Sequence, residues 1–463
     1  MKEAERVSSE PAKADHLCVL VHGLWGHPAH LDYLATALRE KHPESRLDIL
    51  IPKTNTGNFT YDGIELGAER VTKEVEDRLE ELAKDGHEVK KLSIVGYSLG
   101  GLVARYVIGI LYSKGWFEKL EPINFTTFAT PHLGVRTPVS GIRHRIWNSL
   151  GGSLLSKSGH QLFTDDTFRS TGRPLLCLLA EPSSIFIQAL SRFRHRVLYA
   201  NIVNDRSAPY YTTAISSIDP FKDLSAIEIN YLKGLEPLIV DADNPVSYVD
   251  LSALPGRTMY DRLKDATNMF LARAPTVALL TLFLPIGLLL FLINSGIQSY
   301  RSAQRIRLHE SGRTGLGVGS YHFPLLFGTQ EVQGAVDGVL GDLNHAQSQE
   351  NLSDPESGPE TPHSSISSSS SKQPAATSST SQTRDPSSPE QLIAHKPTFP
   401  TMALSPSQFG MIESLNAVGF RKYPVHIHKA RHSHAAIIVR KKWKSFAEGK
   451  RVIAHWLDEE FRI

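Results

Sequence analysis

The sequence predicts an α/β fold in which a mostly parallel sheet carries helices on both faces. Between residues 14 and 273, short apolar segments rich in β-branched and aromatic residues alternate with segments of helical periodicity. The segment 67–83, for example, repeats aliphatic residues every three or four positions. Because strands that alternate with helices are joined by right-handed crossovers, we expect them to run parallel. The predicted strands are Leu17–Val21, Leu47–Ile51, Leu92–Val95, Phe125–Ala129 and Val197–Val203.

The composition excludes several classes to which the protein could belong. The 463 residues are 41% hydrophobic and 21% charged, which is ordinary for a globular protein and argues against a fibrous or wholly disordered chain. The net charge of +2 gives no reason to expect a nucleic-acid partner. Two cysteines, Cys18 and Cys177, are too few for a disulfide scaffold or a thiolate zinc cluster. The first residues lack the apolar core of a secretory signal peptide, so we expect a cytosol-facing protein.

The rest of the chain divides by composition. Residues 1–13 and the Ser- and Pro-rich segment 345–404 are expected to be disordered, because they contain too little apolar surface to offset the entropy of ordering. We interpret 345–404 as a plain linker, with regulation by phosphorylation as the alternative. The apolar segment 274–294 follows the core at 14–273, and residues 295–344 connect it to the linker.

Residues 405–463 are expected to complete the core domain. The sequence predicts a strand at Tyr423–His428 and a helix that is capped by Ser433 and begins near His434. This helix would carry Ile437, Ile438 and Trp443. The segment is basic, which is typical of a solvated helix face; binding to an anionic lipid surface is the alternative.

A nucleophile elbow is predicted at Gly96-Tyr97-Ser98-Leu99-Gly100, which matches the pattern G-x-S-x-G. A strand candidate, 91–95, precedes it and a helix candidate, 99–111, follows it. Such a sharp turn requires Gly96 and Gly100, because a side chain at either position would clash with neighbouring elements. The turn exposes Ser98 Oγ at a helix N-terminus, where developing negative charge is favoured. We therefore predict that Ser98 is a nucleophile.

Acyl transfer by a serine requires two N–H donors for the oxyanion of the tetrahedral intermediate. One is expected from Leu99, the residue after the nucleophile. The other is expected from Leu24 in the loop His22-Gly23-Leu24-Trp25-Gly26, which follows the first predicted strand. His22 precedes the nucleophile, whereas the hydrolase order is serine, acid, histidine; we therefore interpret His22 as a structural residue that holds this loop.

The acid and the base should follow later strands. Asp205 lies just beyond the predicted strand 197–203 and is the preferred acid; Asp165 and Asp166 are rivals without such a strand. For the base we prefer His434, in the predicted strand-to-helix connection, with His432 as the alternative. The remaining candidates are less suitable. His426 and His428 lie within the predicted strand, and His455 lies in the last helix, where a surface role is expected.

Together these motifs resemble the fungal putative serine esterases of the α/β-hydrolase superfamily, a group that includes lipid-droplet phospholipases and other lipases. The resemblance extends from about residue 15 to 307 and again from 405, and rests on VHGLWG, VGYSLGGLVARY, FATPHLG, ANIVNDRSAPYYT and HSHAAIIVR. It implies an α/β-hydrolase fold and an acyl hydrolase for lipid esters, with Ser98, Asp205 and a C-terminal histidine as catalytic triad. His132 of FATPHLG is interpreted as a structural loop residue.

The expected triad limits how the apolar segment can lie in a membrane. Ala274–Ile293 is uncharged and long enough as a helix, about 30 Å, to cross a bilayer. One crossing would, however, separate Ser98 and Asp205 from His434. We therefore expect a re-entrant hairpin or monotopic anchor that turns near Pro285 and Gly287. The alternatives are a bilayer span, a helix buried against the core domain, or a single kinked helix.

The leading functional hypothesis is a serine lipase that acts on glycerophospholipids at a lipid-droplet or endoplasmic reticulum surface, with its catalytic domain in the cytosol. Enzymatic alternatives are a neutral-lipid, sterol-ester or acyl-thioester hydrolase, and a different class is a catalytically silent scaffold on lipid surfaces. Residues 134–196 are long enough to form a cap that selects the substrate. No phosphate-binding, dinucleotide-binding or calcium motif is apparent, so we expect no cofactor and no metal.

Overall fold

A six-stranded parallel sheet organises the protein in the computed structural model, which describes residues 14–138, 146–148, 151–225, 227–248, 259–313, 325 and 399–463, with only the backbone for 259–284. Its strands are β1 His16–Val21, β2 Leu47–Leu50, β3 Lys91–Tyr97, β4 Glu121–Phe128, β5 His195–Asn201 and β8 Arg421–Val425. The expected mostly parallel sheet is confirmed, and its strand order is β2-β1-β3-β4-β5-β8. A separate antiparallel pair consists of β6 Ile227–Ile229 and β7 Val246–Tyr248.

The helices include a long one that contains the whole predicted helix 67–83 and another that follows the elbow. They are α1 Asp32–Lys41, α2 Ile64–Lys84, α3 Leu99–Ser113, α4 Ser156–Phe163, α5 Leu175–Ala180, α6 Ile185–Ser191, α7 Tyr210–Thr213, α8 Met259–Glu310, α9 Pro406–Ala417, α10 Ser433–Ala436 and α11 Ala447–His455.

Both faces of the sheet are buried, as the alternation of side chains in β1 illustrates. Leu17 and Val19 belong to one hydrophobic cluster, which also contains residues of α2, α3, α6 and α9. Cys18 and Leu20 belong to a second cluster with residues of α1 and α11. Because successive side chains of a strand point to opposite faces, helices cover the sheet on both sides.

The register brings the carboxyl ends of the strands together at one edge of the sheet. Gly96 in β3 is opposite Val21 in β1, and Tyr97 is opposite Phe128 in β4. Asn201, the last residue of β5, is opposite Val425 of β8. The loops after β1, β3, β5 and β8 therefore meet at this edge, which is where open α/β sheets bind their ligands.

Part of the region expected to form a cap belongs to the core instead. Leu176 and Leu179 of α5 are fully buried in the first cluster. Phe186 of α6 packs so closely on α3 that a Cβ at Gly109 would lie 2.4 Å from its ring. Residues 175–191 thus support the sheet rather than cover the site.

The C-terminal segment differs from the sequence prediction in its details. β8 ends at Val425 rather than His428, and α10 is a single turn with His432 at the N-cap position. Ser433 does not cap this helix, since its hydroxyl donates a hydrogen bond to Val203 O (2.7 Å). Val439 has a positive φ of 54°, which ends the helical conformation before Trp443.

The ordered residues that lead into the C-terminal segment begin before residue 405, earlier than expected. Leu404 is 1% exposed, and Met402 N donates to Ser217 O at 2.9 Å. Residues 399–404 of the predicted linker therefore pack on the domain. The disorder expected for 1–13 and for 345–398 falls outside the described residues, as does most of the predicted connection after residue 313.

The expected hairpin is absent: α8 runs from Met259 to Glu310 as one helix through Pro285 and Gly287. The prediction of a turn was wrong because each of the two prolines, Pro275 and Pro285, removes a single helical hydrogen bond, and a long helix retains the others. In the part of the chain that the structure describes, no helix combines the length and apolarity required to cross a membrane. The side chains of 259–284 lie outside that part.

Candidate active site

The nucleophile elbow is formed by Ser98, which stands between the end of β3 and the start of α3. Its φ of 56° lies in the left-handed region, which is strained for a residue with a side chain. The strain is held by backbone hydrogen bonds on either side: Ser98 N donates to Phe128 O, and Gly101 N donates to Ser98 O, both at 3.0 Å. The serine is thereby fixed at the N-terminus of a buried helix.

Glycine is required around the elbow because β3, α3 and β1 approach one another closely. A Cβ at Gly96 would lie 2.3 Å from Gly101 Cα, and one at Gly100 would lie 2.2 Å from Val21 O. Both contacts involve backbone, which cannot yield as a flexible side chain can. The spacing G-x-S-x-G is therefore a packing requirement of this turn.

Ser98, His434 and Asp205 form a continuous chain of hydrogen bonds. His434 Nε2 lies 2.9 Å from Ser98 Oγ, and His434 Nδ1 donates to Asp205 Oδ2 at 2.8 Å. The Asp205 side chain is 2% exposed and that of His434 is 14% exposed, whereas Ser98 is half-buried. The carboxylate is thus shielded from water while the hydroxyl remains accessible.

The carboxylate of Asp205 is held by its own loop and by β5. Oδ1 accepts hydrogen bonds from Ser207 N (3.0 Å) and Ala208 N (2.8 Å), and Oδ2 also accepts one from Asn201 Nδ2 (3.0 Å). Burial alone would raise the pKa of Asp205, but the charge of His434 and these hydrogen bonds outweigh it and lower the pKa. Asp205 is therefore ionised at every pH at which an ordinary aspartate is ionised.

Two contacts that sequence reasoning missed position the histidine. Tyr97, within the elbow motif, donates its hydroxyl to His434 O at 2.9 Å, and its ring lies 5.2 Å from the imidazole. The hydrogen bond from Ser433 to Val203 O joins the histidine loop to the acid loop. Tyr97 carried no sequence signal beyond its place in the motif, because a variable x position does not indicate a contact 337 residues away.

The loop after β1 lies directly against the nucleophile. A Cβ at Gly23 would be 2.6 Å from Ser98 Cβ and 3.1 Å from Ser98 Oγ. Trp25 N donates to Thr60 Oγ1 at 3.0 Å and is already engaged. Leu24, between Gly23 and Trp25, remains the expected oxyanion donor of this loop. Leu99 is the first residue of α3, and its N–H accordingly has no acceptor within the helix. Leu99 thus directly follows Ser98, and Leu24 directly follows the glycine that packs on Ser98.

The rival acids and the alternative base lie outside this chain of hydrogen bonds. Asp165 Oδ1 is paired with His160 Nδ1 (3.0 Å), and Asp166 Oδ2 accepts from Leu175 N (3.0 Å). His432 is exposed at the N-cap position of α10.

Other histidines of the chain have structural contacts. His22 is 3% exposed, with Nδ1 3.2 Å from Gly23 O, and burial lowers its pKa. His132 is fully buried, with Nε2 3.0 Å from Thr127 Oγ1. His455 was expected on the surface but is 6% exposed, and its Nδ1 lies 2.8 Å from Tyr199 OH, because α11 packs on the sheet.

The remaining two candidate bases belong to a different cluster. His426 Nδ1 lies 2.7 Å from Tyr231 OH, and His428 Nδ1 lies 3.4 Å from Glu448 Oε1. Among the described residues, no group of three or more histidines, cysteines, aspartates and glutamates is arranged to hold a metal ion.

Comparison with known proteins finds one family that is similar to the N-terminal part of the chain. Residues 11–218 match the family described as "Putative serine esterase (DUF676)". This part of the chain is thus similar to a family of serine esterases. The match to the putative serine esterase family contains the loop at Gly23, the elbow at Ser98 and the acid at Asp205, and ends before the segment that carries His434.

Curated relatives of the chain are named as lipases. "Putative lipase ROG1" of Saccharomyces cerevisiae is 32% identical over 246 residues, which are 51% of this chain and 34% of the relative. "Putative lipase C4A8.10" of Schizosaccharomyces pombe is 33% identical over 217 residues, 45% of this chain and 27% of the relative. The chain thus spans about a third of the length of the curated relatives it matches.

Solved structures with some similarity include a putative cell surface hydrolase from Lactobacillus plantarum and a cutinase-like protein from Cryptococcus. The first is 15% identical with a TM-score of 0.24 over 44% of this chain and 74% of its own; the second is 14% identical with a TM-score of 0.20 over 27% and 58%. The features that identify the α/β-hydrolase fold are the parallel sheet of this protein and the elbow between β3 and α3.

Proposed function

We propose that the protein is a serine lipase that hydrolyses acyl ester bonds of lipids through an acyl-enzyme. The observation that carries this proposal is the unbroken chain of hydrogen bonds from Ser98 Oγ through His434 to Asp205, at 2.9 and 2.8 Å. Such a chain, on a strained elbow beside two N–H donors, is the arrangement that activates a serine hydroxyl for attack on a carbonyl carbon.

The mechanism follows from these contacts. Ser98 Oγ attacks the ester carbonyl while His434 Nε2 accepts its proton, and Asp205 stabilises the resulting imidazolium. The N–H groups of Leu24 and Leu99 stabilise the oxyanion, each contributing about 3 kcal/mol to the transition state. His434 then donates the proton to the departing alcohol. A water molecule, deprotonated by His434, releases the fatty acid and restores Ser98.

A lipid surface is supported as the working environment by the exposed part of α8. The side chains of 286–293, apart from Gly287, are large and apolar, with exposed fractions between 37% for Phe291 and 62% for Leu290. They occupy every side of the helix rather than one face. A helix that is apolar all round suits a surrounding hydrocarbon phase better than a groove on one protein partner.

The attachment of α8 supports placing the catalytic domain on one side of that lipid. Val246 of β7 is buried in a hydrophobic cluster with Ile202 of the domain, and Ser295 Oγ donates to Leu154 O at 2.7 Å. The chain between these points thus begins and ends on the same domain, which agrees with an anchor that does not separate Ser98 from His434. We propose a droplet or endoplasmic reticulum surface with this domain in the cytosol.

Glycerophospholipids are proposed as substrates because basic and aromatic side chains lie close after the catalytic histidine. Lys441, Lys442 and Lys444 are exposed around Trp443, which is 52% exposed and has Lys441 Nζ 4.7 Å from its ring. Lysines attract anionic phosphate groups, and tryptophan favours the boundary between headgroups and acyl chains.

The test combines active-site labelling with a substrate panel. Purified full-length protein is treated with a fluorophosphonate probe and is assayed separately on vesicles of glycerophospholipid, emulsions of triacylglycerol, sterol esters and an acyl thioester. Ser98→Ala is the matched blank. We expect labelling and phospholipid hydrolysis by the wild type and neither by Ser98→Ala.

Other outcomes distinguish the alternatives. Hydrolysis of a different member of the panel would keep the mechanism and change the substrate. Absence of labelling and of hydrolysis in the folded wild-type protein would contradict the proposed enzyme and favour a catalytically silent scaffold.

A further inference from the structure

The C-terminal half of α8 is fixed to the hydrolase domain by an ion pair with a buried carboxylate. Arg305 donates from Nε to both oxygens of Asp62 (3.0 and 2.8 Å) and from Nη2 to Oδ1 (2.6 Å). The Asp62 side chain is 0% exposed and is also paired with Arg70 Nη2 at 2.7 Å. Because a bidentate guanidinium fixes both distance and orientation, this contact holds the helix in one position on the domain.

Arg305 also holds the short helical turn that precedes Asp62. This turn, Gly57–Tyr61, receives a hydrogen bond from Arg305 Nη2 at Asn58 O (3.0 Å), and the guanidinium carbon lies 5.0 Å from the ring centroid of Phe59. At its other end, Gly57 N donates to Gly26 O at 2.8 Å. The turn therefore lies between α8 and the loop after β1.

Trp25, in that loop, depends on the same turn. Its φ of 51° is strained for a bulky residue, so neighbouring contacts must hold it in place. The turn provides two: Trp25 N donates to Thr60 Oγ1 (3.0 Å), and Trp25 Nε1 donates to Tyr61 OH (2.9 Å). Leu24, the oxyanion donor of the proposed mechanism, is the preceding residue.

We propose that Arg305 is a positioning residue for the oxyanion loop, acting through the turn 57–61 and Trp25. This inference rests on the proposed function, since it assumes that the Leu24 N–H serves the oxyanion. Oxyanion donors must be placed to within a few tenths of an ångström, because they act only where charge develops. The helix that carries the exposed apolar residues is by this route connected to the catalytic machinery.

The test uses Arg305→Gln in the full-length protein, with Arg307→Gln as matched control. Arg307 is on the same helix and exposed, and Asp62 keeps Arg70 as its partner when Arg305 is replaced. Turnover of a soluble ester, p-nitrophenyl butyrate, is divided by the active sites counted with a fluorophosphonate probe. We expect kcat of Arg305→Gln to fall about 10- to 100-fold with KM within twofold, because only the transition state uses the oxyanion donor.

Three further variants separate positioning from stability. Arg305→Lys should recover part of kcat, because it restores the charge without the bidentate contact. Ser295→Ala removes another contact of α8 that does not touch the turn, and should keep wild-type kcat. Tyr61→Phe, which keeps the ring and loses the acceptor for Trp25, should lower kcat, and its effect should be less than additive with Arg305→Gln.

Unchanged kcat per active site in Arg305→Gln, or strict additivity with Tyr61→Phe, would overturn the inference while leaving the proposed function intact. If Arg305→Gln does not fold, Tyr61→Phe alone decides, since an unchanged kcat there excludes the route through Trp25. A wild-type protein that the probe does not label would refute the proposed function itself.

Discussion

Replacing Asp205 by Asn keeps the size of the side chain and removes its charge, and the structure determines how the new amide must orient. Oδ1 accepts hydrogen bonds from Ser207 N and Ala208 N, so this position has to remain an oxygen. The amide nitrogen therefore takes the position of Oδ2, 2.8 Å from His434 Nδ1, because the other donor to that position, the side-chain amide of Asn201, can rotate to present its oxygen and a backbone N–H cannot. There it donates a proton instead of accepting one.

The consequence is the wrong tautomer of the histidine. His434 has to accept at Nδ1, which places its proton on Nε2, facing Ser98 Oγ at 2.9 Å. It then cannot take the serine proton, and the imidazolium loses its counter-charge. We expect kcat to fall by about four orders of magnitude, equivalent to roughly 5 kcal/mol of transition-state stabilisation.

The assay measures turnover of p-nitrophenyl butyrate together with the melting temperature, so that loss of fold is separated from loss of chemistry. Asp165→Asn is the control, since Asp165 was the rival acid and pairs with His160. It should retain activity close to that of the wild type. A loss of less than tenfold in Asp205→Asn, with a large loss in Asp165→Asn, would refute the assignment of the acid.

The other predictions test the remaining parts of the site. His434→Ala should match Ser98→Ala in lost turnover, and the double variant should be little worse than either, because triad members act as a unit; additive losses would contradict this. His432→Ala should retain most activity, and the reverse pattern would transfer the role of base. Gly23→Ala should abolish fluorophosphonate labelling, since its Cβ would lie 2.6 Å from Ser98 Cβ; labelling at the wild-type rate would show that the loop can move. Because the pKa of Asp205 is lowered on folding, its carboxylate contributes fully to stability above the ordinary aspartate range and loses that contribution as the pH falls through the lowered pKa. The difference in melting temperature between wild type and Asp205→Asn should therefore shrink on acidification. If 274–293 anchors the protein in lipid, high salt should not extract it from membranes, because apolar burial is worth about 1.5–3 kcal/mol per large residue and is not screened; release by salt would favour attachment by the basic tail.

Local patterns in the sequence were sufficient for the sheet and the elbow. Strands β1 to β5 begin and end within about four residues of their predicted bounds, because both faces of a parallel sheet are buried and the strands are accordingly apolar throughout. Ser98 was identifiable because the elbow needs small residues at fixed offsets. Chain order then placed an acid and a histidine after it, and the structure brings together Asp205 and His434 from the candidates considered.

Tertiary structure alone decided the contacts between distant segments. Tyr97 and His434 are separated by 337 residues, and Arg305 and Asp62 by 243, so no local periodicity relates them. The sequence also did not determine that α8 continues as one helix, since Pro285 favours a kink or a helix end but does not require one. The burial of a charged residue was equally impossible to predict from the sequence. Asp62 has the sequence context of an ordinary loop acid, and only the packing of α2 and α8 gives it two arginine partners. Propensity acts over neighbouring residues, whereas these contacts depend on where the whole sheet brings its loops.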